Sequence, residues 1–180
     1  MKKSSRGLAN PVKLNPVAET KGFFQVVIET PKGSRNKFAF DPVQKVFTLS
    51  RILPAGMDFP LDFGFVPRTK APDGDPLDVL LIMDEPCFPG IVVNARLVGI
   101  MEGEQVRKDG KKSRNDRLLA VAEATQTYVG LNDVKQVPQV LLTQLERFFM
   151  NYHQMEGLHY KALGWKGADA AKKILEKLKT

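Results

Sequence analysis

The run Asp73-Gly74-Asp75-Pro76-Leu77-Asp78-Val79-Leu80-Leu81-Ile82-Met83 passes from three acids within six residues straight into an apolar stretch. Three carboxylates so close together repel one another, and a fold keeps them together only when something positive sits between them. In a regular strand Asp73 and Asp75 would share a face and Asp78 would point the other way. Gly74 and Pro76 argue against that regularity: glycine permits unusual backbone angles, and proline fixes its own φ and pushes Asp75 towards an extended conformation. A bent segment can therefore aim all three carboxylates into one pocket. Hard oxygen ligands with no His or Cys among them suit Mg²⁺, with Mn²⁺ or Ca²⁺ as competitors. A calcium loop starting at Asp73 would need Asp or Asn at 77 and Gly at 78, where Leu77 and Asp78 stand. The alternative is an ordinary polar turn, disfavoured by the embedded Gly and Pro and by the immediate opening into Val79-Leu80-Leu81-Ile82.

Outward from this run the chain reads as strands first and helices later. Phe23 to Glu29 is β-rich and is closed by the turn residues Thr30-Pro31-Lys32-Gly33-Ser34. Lys37 to Phe40 and Val46 to Leu49 flank the turn Asp41-Pro42. Val79 to Met83, Ile91 to Met101 and Leu118 to Glu123 are further strands, and Asp109-Gly110 is the expected tip of a charged hairpin joining the last two. The period then lengthens. Val137, Leu141, Leu145, Phe148, Phe149, Tyr152 and Met155 fall on one helical face, with Pro138 suited to the first turn. Ala170, Ala171, Ile174, Leu175 and Leu178 mark a second amphipathic helix that Asp169 can begin. The expectation is an α+β chain, mainly β, with a barrel-like core and helices packed on it. Residues 1–180 read as one domain, with residues 1–20 as an extended arm.

Composition narrows the function. The 180 residues carry 27 Lys+Arg against 20 Asp+Glu, a net charge of +7, and are 43% hydrophobic, which fits a globular chain with a sizeable core. The lone cysteine, Cys87, excludes an internal disulfide and a cysteine zinc cage, and favours a reducing compartment. No apolar run is long enough to span a membrane. Met1 to Arg6 is basic, yet no apolar stretch follows before Pro11, so a cytoplasmic protein is expected. Arg107, Lys108, Lys111, Lys112, Arg114 and Arg117 surround only Asp109 and Asp116, a surplus that concentrates polyanions. No recognition-helix, zinc-finger or aromatic RNA-binding pattern accompanies it, and Phe38, Phe40 and Phe47 read as core rather than stacking platforms, so nucleic acid is disfavoured.

A carboxylate cluster holding Mg²⁺ calls for phosphoryl chemistry, with Lys and Arg neutralising the remaining negative charge. Lys37, Arg51, Arg117 and Lys161 qualify because each stands beside an apolar or aromatic segment, although exposed ion pairs would explain each of them singly. A phosphate-binding P-loop is absent. His153 and His159 lack metal-ligand spacing and read as surface or core-edge residues. Cys87 reads as a small apolar filler, and Phe148, Phe149 and Trp165 as packing.

The whole pattern resembles the family I soluble inorganic pyrophosphatases. Asp73 to Asp78 matches that family's signature without a mismatch. The similarity extends from about Val26 to the C-terminal helix, through Val27-Ile28-Glu29, Lys37-Phe38, Arg51, Phe59-Pro60, Gly64, Phe148-Phe149, Tyr152, Lys161 and Gly164-Trp165. The resemblance implies a five-stranded OB-like barrel with C-terminal helices, several Mg²⁺ ions, hydrolysis of pyrophosphate to two phosphates, and cytoplasmic homo-oligomers, commonly hexamers in bacteria. It implies that Asp73 and Asp78 ligate Mg²⁺ and that Asp75 deprotonates the nucleophilic water. Lys37, Arg51, Tyr152 and Lys161 would grip the phosphates, with Glu29 in the outer shell.

The chain also departs from that family. Two further metal-binding aspartates and a lysine are usual before the Leu118 strand. Anchored on Leu118, Asn115 takes one aspartate position, with Asp116 next to it, and Arg117 takes the lysine position. The other aspartate aligns with Glu104 or Gln105. Phe63 replaces a usual Tyr and Ala39 a usual Glu. The expected metal set is therefore Asp73, Asp78, Glu104, Asn115 and Asp116, with Arg117 as a phosphate contact and weaker affinity for the last Mg²⁺ bound. A pyrophosphatase-like protein acting on a larger polyphosphate or nucleotide, or only binding anions, is the alternative.

Overall fold

The two continuous apolar runs of the sequence lie side by side as parallel strands, buried on both faces. The computed structural model describes residues 10–106 and 110–180. Among these residues the chain order is β1 (Phe24–Thr30), β2 (Asn36–Asp41), β3 (Val46–Ile52), β4 (Asp62–Phe65), β5 (Asp78–Ile82), β6 (Val92–Val106), β7 (Lys112–Arg114), β8 (Arg117–Ala122), α1 (Gln139–Met155), β9 (His159–Gly167) and α2 (Ala168–Leu178). Strands β1, β4, β5, β8 and β6 pair in that order, and β6 pairs again with β1, closing a five-stranded ring. Strand β6 outruns the ring, pairing with β7 and along the length of β9. Strands β2 and β3 form a separate hairpin.

Strand alternation divides the interior in two. Leu80 and Ile82 of β5 with Leu119 and Val121 of β8 face a core shared with Phe59, Phe63 and the α1 residues Leu142, Leu145 and Phe149. Val79 and Leu81 with Leu118, Ala120 and Ala122 face the opposite core, closed by Ala171 and Leu175 of α2. The barrel with C-terminal helices is as expected from the sequence. No helix among the described residues is long and apolar enough to cross a membrane.

Local differences have physical causes. Strand β4 was not anticipated because it is only four residues long, with Asp62 and Gly64 interrupting its apolar pattern. Its Gly64 lies against the β1 backbone, where a Cβ would collide with the Val27 carbonyl. Strand β9 also went unread, since Lys161, Gly164 and Lys166 interrupt its apolar pattern and its partner β6 is far away in sequence. Because β9 and β7 cover it, β6 continues to Val106 instead of stopping at Met101. Helix α1 starts at Gln139 with Pro138 as N-cap and buries Leu142, Leu145, Phe149, Tyr152 and His153, while Met155 is exposed. Helix α2 is capped by Gly167, with Asp169 inside its first turn. The expected hairpin turn is supported by pairing of β6 with β7 from Val106↔Lys112 inwards, but Asp109 lies outside the described residues. Phe38, Phe40 and Phe47 are half-buried on the β2–β3 hairpin rather than in either core. Part of the expected arm rests on the body: the Arg68 N–H donates to the Val12 carbonyl (3.0 Å) and the Gln25 N–H to the Pro16 carbonyl (2.9 Å). Residues 1–9 lie outside the described residues.

Candidate active site

The segment before β5 is tied into a tight bend. Thr69 Oγ1 donates to the Val66 carbonyl (2.6 Å) and accepts the Leu77 N–H (2.8 Å). The Ala71 N–H donates to the Asp75 carbonyl (2.7 Å), and the Asp75 N–H donates to Asp73 Oδ1 (3.2 Å). Gly74 sits at φ +100, a conformation that costs a glycine little and other residues much. The bend delivers Asp73, Asp75 and Asp78 to one cavity of about 510 Å³ between the β2–β3 hairpin, the barrel mouth and α1. Glu29, Lys37, Asn115, Arg117 and Tyr152 line the same cavity, as do Ala39, Phe63 and Gln105.

Charge in this cavity is divided between walls. Glu29 accepts the Phe40 N–H (2.8 Å) and pairs with Lys37 Nζ (3.3 Å). Lys37 Nζ also lies 4.1 Å from the centre of the Phe63 ring, a favourable cation–π contact. Arg117 is 2% exposed. Its guanidinium is 4.1 Å from the Phe149 ring centre and 4.9 Å from that of Tyr160, and its Nε is 3.5 Å from Asp78 Oδ2. Burial pushes the Asp78 carboxyl up to about 7, against the pull of Arg117 and Lys37. Burial likewise raises Asp73. It drives the Tyr152 hydroxyl to about 12, with the Glu156 charge adding to the effect. Half-buried carboxylates held above their usual range are where a hard cation gains most. Yet among the described residues no three acidic, histidine or cysteine side chains close around one point as a ready cage. The donor set fits a cation that keeps waters and takes further oxygens from a phosphate, as Mg²⁺ does.

Four expected residues, Glu104, Asp116, Lys161 and Arg51, are not in the cavity lining, and strand alternation accounts for Glu104 and Lys161. Gln105 faces inward, so Glu104 faces outward and pairs with Lys112 Nζ (3.0 Å). Asn115 and Arg117 line the cavity, so Asp116 between them turns away to accept the Gly103 N–H (2.9 Å) and pair with Arg114 (2.8 Å). Tyr160 is buried against Arg117, which leaves Lys161 on the opposite, exposed face. Arg51 reaches the site only through residues that line it, its guanidinium paired with Glu156 and 5.4 Å from the Tyr152 ring centre. Asn115 and Gln105 bond to each other through their amides (2.7 Å), so this wall carries no formal negative charge where Asp or Glu was sought.

His153 and Glu156 were not foreseen as cavity residues, although both line it. The sequence signal was their i,i+3 spacing on the helix that carries Tyr152. Burial pushes the His153 imidazole below its ordinary value, with Arg117 and Arg51 adding to this and Glu156 opposing. Burial tends to raise Glu156, but the His153 contact and the Arg51 charge outweigh it and hold the carboxyl low.

The family model for inorganic pyrophosphatase matches residues 26–180. The chain is 41% identical to the inorganic pyrophosphatase of Methanosarcina acetivorans over 155 residues, which is 86% of this chain and 89% of that protein. It is 37% identical to the inorganic pyrophosphatase of a Synechocystis species over 161 residues, 89% of this chain and 92% of that one. The crystal structure of inorganic pyrophosphatase from Thermus thermophilus superimposes with a TM-score of 0.87 at 31% identity, covering 94% of this chain and 97% of that one.

Proposed function

The chain belongs to the inorganic pyrophosphatase family, whose members are metal-dependent, and we propose that it hydrolyses inorganic pyrophosphate to two phosphates with Mg²⁺, which Mn²⁺ can replace. The observation that carries this reading is one cavity holding Asp73, Asp75 and Asp78 together with Lys37 and Arg117. Bound divalent cations would lower the pKa of the attacking water and neutralise phosphate oxygens.

The protein's own groups do the rest. Asp73 and Asp78 would hold the cation, with the side-chain amide oxygens of Asn115 and Gln105 as neutral ligands. Asp75, on the exposed side of the bend, takes a proton from the water that attacks phosphorus. Water adds to one phosphorus, the bridging P–O bond breaks, and the departing phosphate leaves with the bridging oxygen. Lys37, Arg117 and the Tyr152 hydroxyl bind phosphate oxygens, with Arg51 beside Tyr152, and Glu29 holds Lys37 in place. The reading extends to a cytoplasmic homo-oligomer, supported by the family resemblance and by the lone cysteine.

A second reading, a larger polyphosphate or nucleotide as substrate, draws on Ala39, Phe63, Gln105 and Asn115, all of which line the cavity. Phosphate release from pyrophosphate, tripolyphosphate and nucleoside triphosphates, each with and without Mg²⁺, separates the two. Magnesium-dependent preference for pyrophosphate supports the first, and preference for a longer chain supports the second.

A further inference from the structure

Five polar side chains contact one another in succession: Arg51, Glu156, His153, Arg117 and Asp78. Arginine has donors only. The 3.0 Å contact between Arg117 Nη2 and His153 Nε2 therefore makes Nε2 the acceptor and places the imidazole proton on Nδ1. That nitrogen lies 3.1 Å from Glu156 Oε2, off the line of a good hydrogen bond. A protonated His153 would set a further positive charge beside two arginines, in keeping with its lowered pKa. Tyr160 stacks on the imidazole, with ring centres 4.8 Å apart and planes inclined at 22°, so the ring cannot easily turn.

The guanidinium is thus held on several sides. Nη2 is tied to His153, Nη1 donates to the Asn115 carbonyl (3.3 Å), and Phe149 and Tyr160 face its plane. What remains is Nε–H, buried without a hydrogen-bond partner on the Asp78 side. A buried donor left unmade is costly, and a phosphate oxygen in the cavity would complete it.

We propose that His153 is a positioning residue: by accepting from Arg117 Nη2 it fixes the guanidinium so that its unpartnered Nε–H meets an oxygen of the substrate phosphate. The proposal rests on Arg117 being a phosphate ligand. It assigns a role to a neutral histidine that touches no reacting atom.

The test uses inorganic phosphate as probe, titrated calorimetrically into the full chain in the presence of a chelator, alongside kcat and KM for pyrophosphate with Mg²⁺. His153→Leu should weaken phosphate binding and raise KM roughly tenfold, the size of a lost hydrogen bond to a charged group, with kcat little changed. His153→Gln, whose amide oxygen can accept the same bond, should recover most of the loss. In an Arg117→Lys background His153→Leu should add nothing further, because the fork it orients is gone. If His153→Leu does not fold, His153→Asn, too short to reach Arg117, takes its place. The proposal is overturned if wild type binds no phosphate, if the Leu variant binds it as wild type does, if Gln rescues nothing, or if the effect persists in full in the Arg117→Lys background. Should wild type turn over no pyrophosphate, the assigned activity fails, while phosphate binding still decides the role of His153.

Discussion

Gly103→Ala tests how the strand behind the cavity supports it. Gly103 is buried on β6, opposite β9. A Cβ there would lie 2.6 Å from Tyr160 Cε2 and closer still to its Cζ and hydroxyl. Tyr160 has little room to yield: its hydroxyl donates to the Asn115 carbonyl (3.3 Å), and its ring covers His153 and Arg117. Overpacking of this kind costs about 1–3 kcal/mol, and losing the hydroxyl's bond about 1 kcal/mol more. The sum, about 2–4 kcal/mol, corresponds to a fall in Tm of roughly 4–16 °C for a chain of this size. Because Tyr160 carries Arg117, KM for pyrophosphate should rise as well. Gly130→Ala is the control, since a Cβ there meets nothing within 4 Å. In Gly103→Ala/Tyr160→Ala the clash is relieved, so the two losses should combine less than additively. A Gly103→Ala protein melting like Gly130→Ala, or strict additivity in the double variant, would show that Tyr160 does not press on this strand.

Other outcomes follow from single groups. Asp62 is buried and accepts the Lys32 N–H (2.6 Å) and the Cys87 N–H (2.8 Å); Asp62→Ala orphans both donors and should cost about 2–5 kcal/mol in denaturant unfolding. The Thr127 hydroxyl first, then the Gln126 N–H, the Thr125 hydroxyl and the Thr127 N–H, hold the Asp84 carboxyl down to about 2. With the folded value below the unfolded one, its stabilisation is present above the unfolded value and is lost as pH falls through about 2. The Tm difference between wild type and Asp84→Asn should therefore be full at neutral pH and vanish near pH 2. Replacing both wall amides, as Gln105→Glu with Asn115→Asp, should tighten Mn²⁺ binding measured by electron paramagnetic resonance, because two carboxylates then face Asp78; unchanged affinity would mean that this wall does not meet the cation.

The parts legible in the sequence were those governed by neighbours along the chain. The apolar runs of β5 and β8 announced strands buried on both faces, and the turn chemistry of Gly74 and Pro76 announced a bend that gathers Asp73, Asp75 and Asp78. Strands β4 and β9 escaped because their pairing with distant strands, rather than their own pattern, makes them strands. Glu104 against Gln105 and Asp116 against Asn115 were decided by one step of register, and one step moves a side chain to the opposite face. His153 escaped for a related reason. Its spacing from Glu156 is local, but its burial beside Arg117 comes from α1 packing across β8 and β9.

In the proposed mechanism Asp75 serves as the base in a magnesium-dependent hydrolysis of pyrophosphate. The most direct measurement is phosphate release from pyrophosphate by wild type and Asp75→Asn, with and without added Mg²⁺. Rapid release by wild type with the metal, none without it, and a loss of roughly a hundredfold or more in the variant, as expected for a general base, are predicted. Full activity in Asp75→Asn would remove Asp75 from the base role, and turnover indifferent to the metal would remove the cation from the reaction.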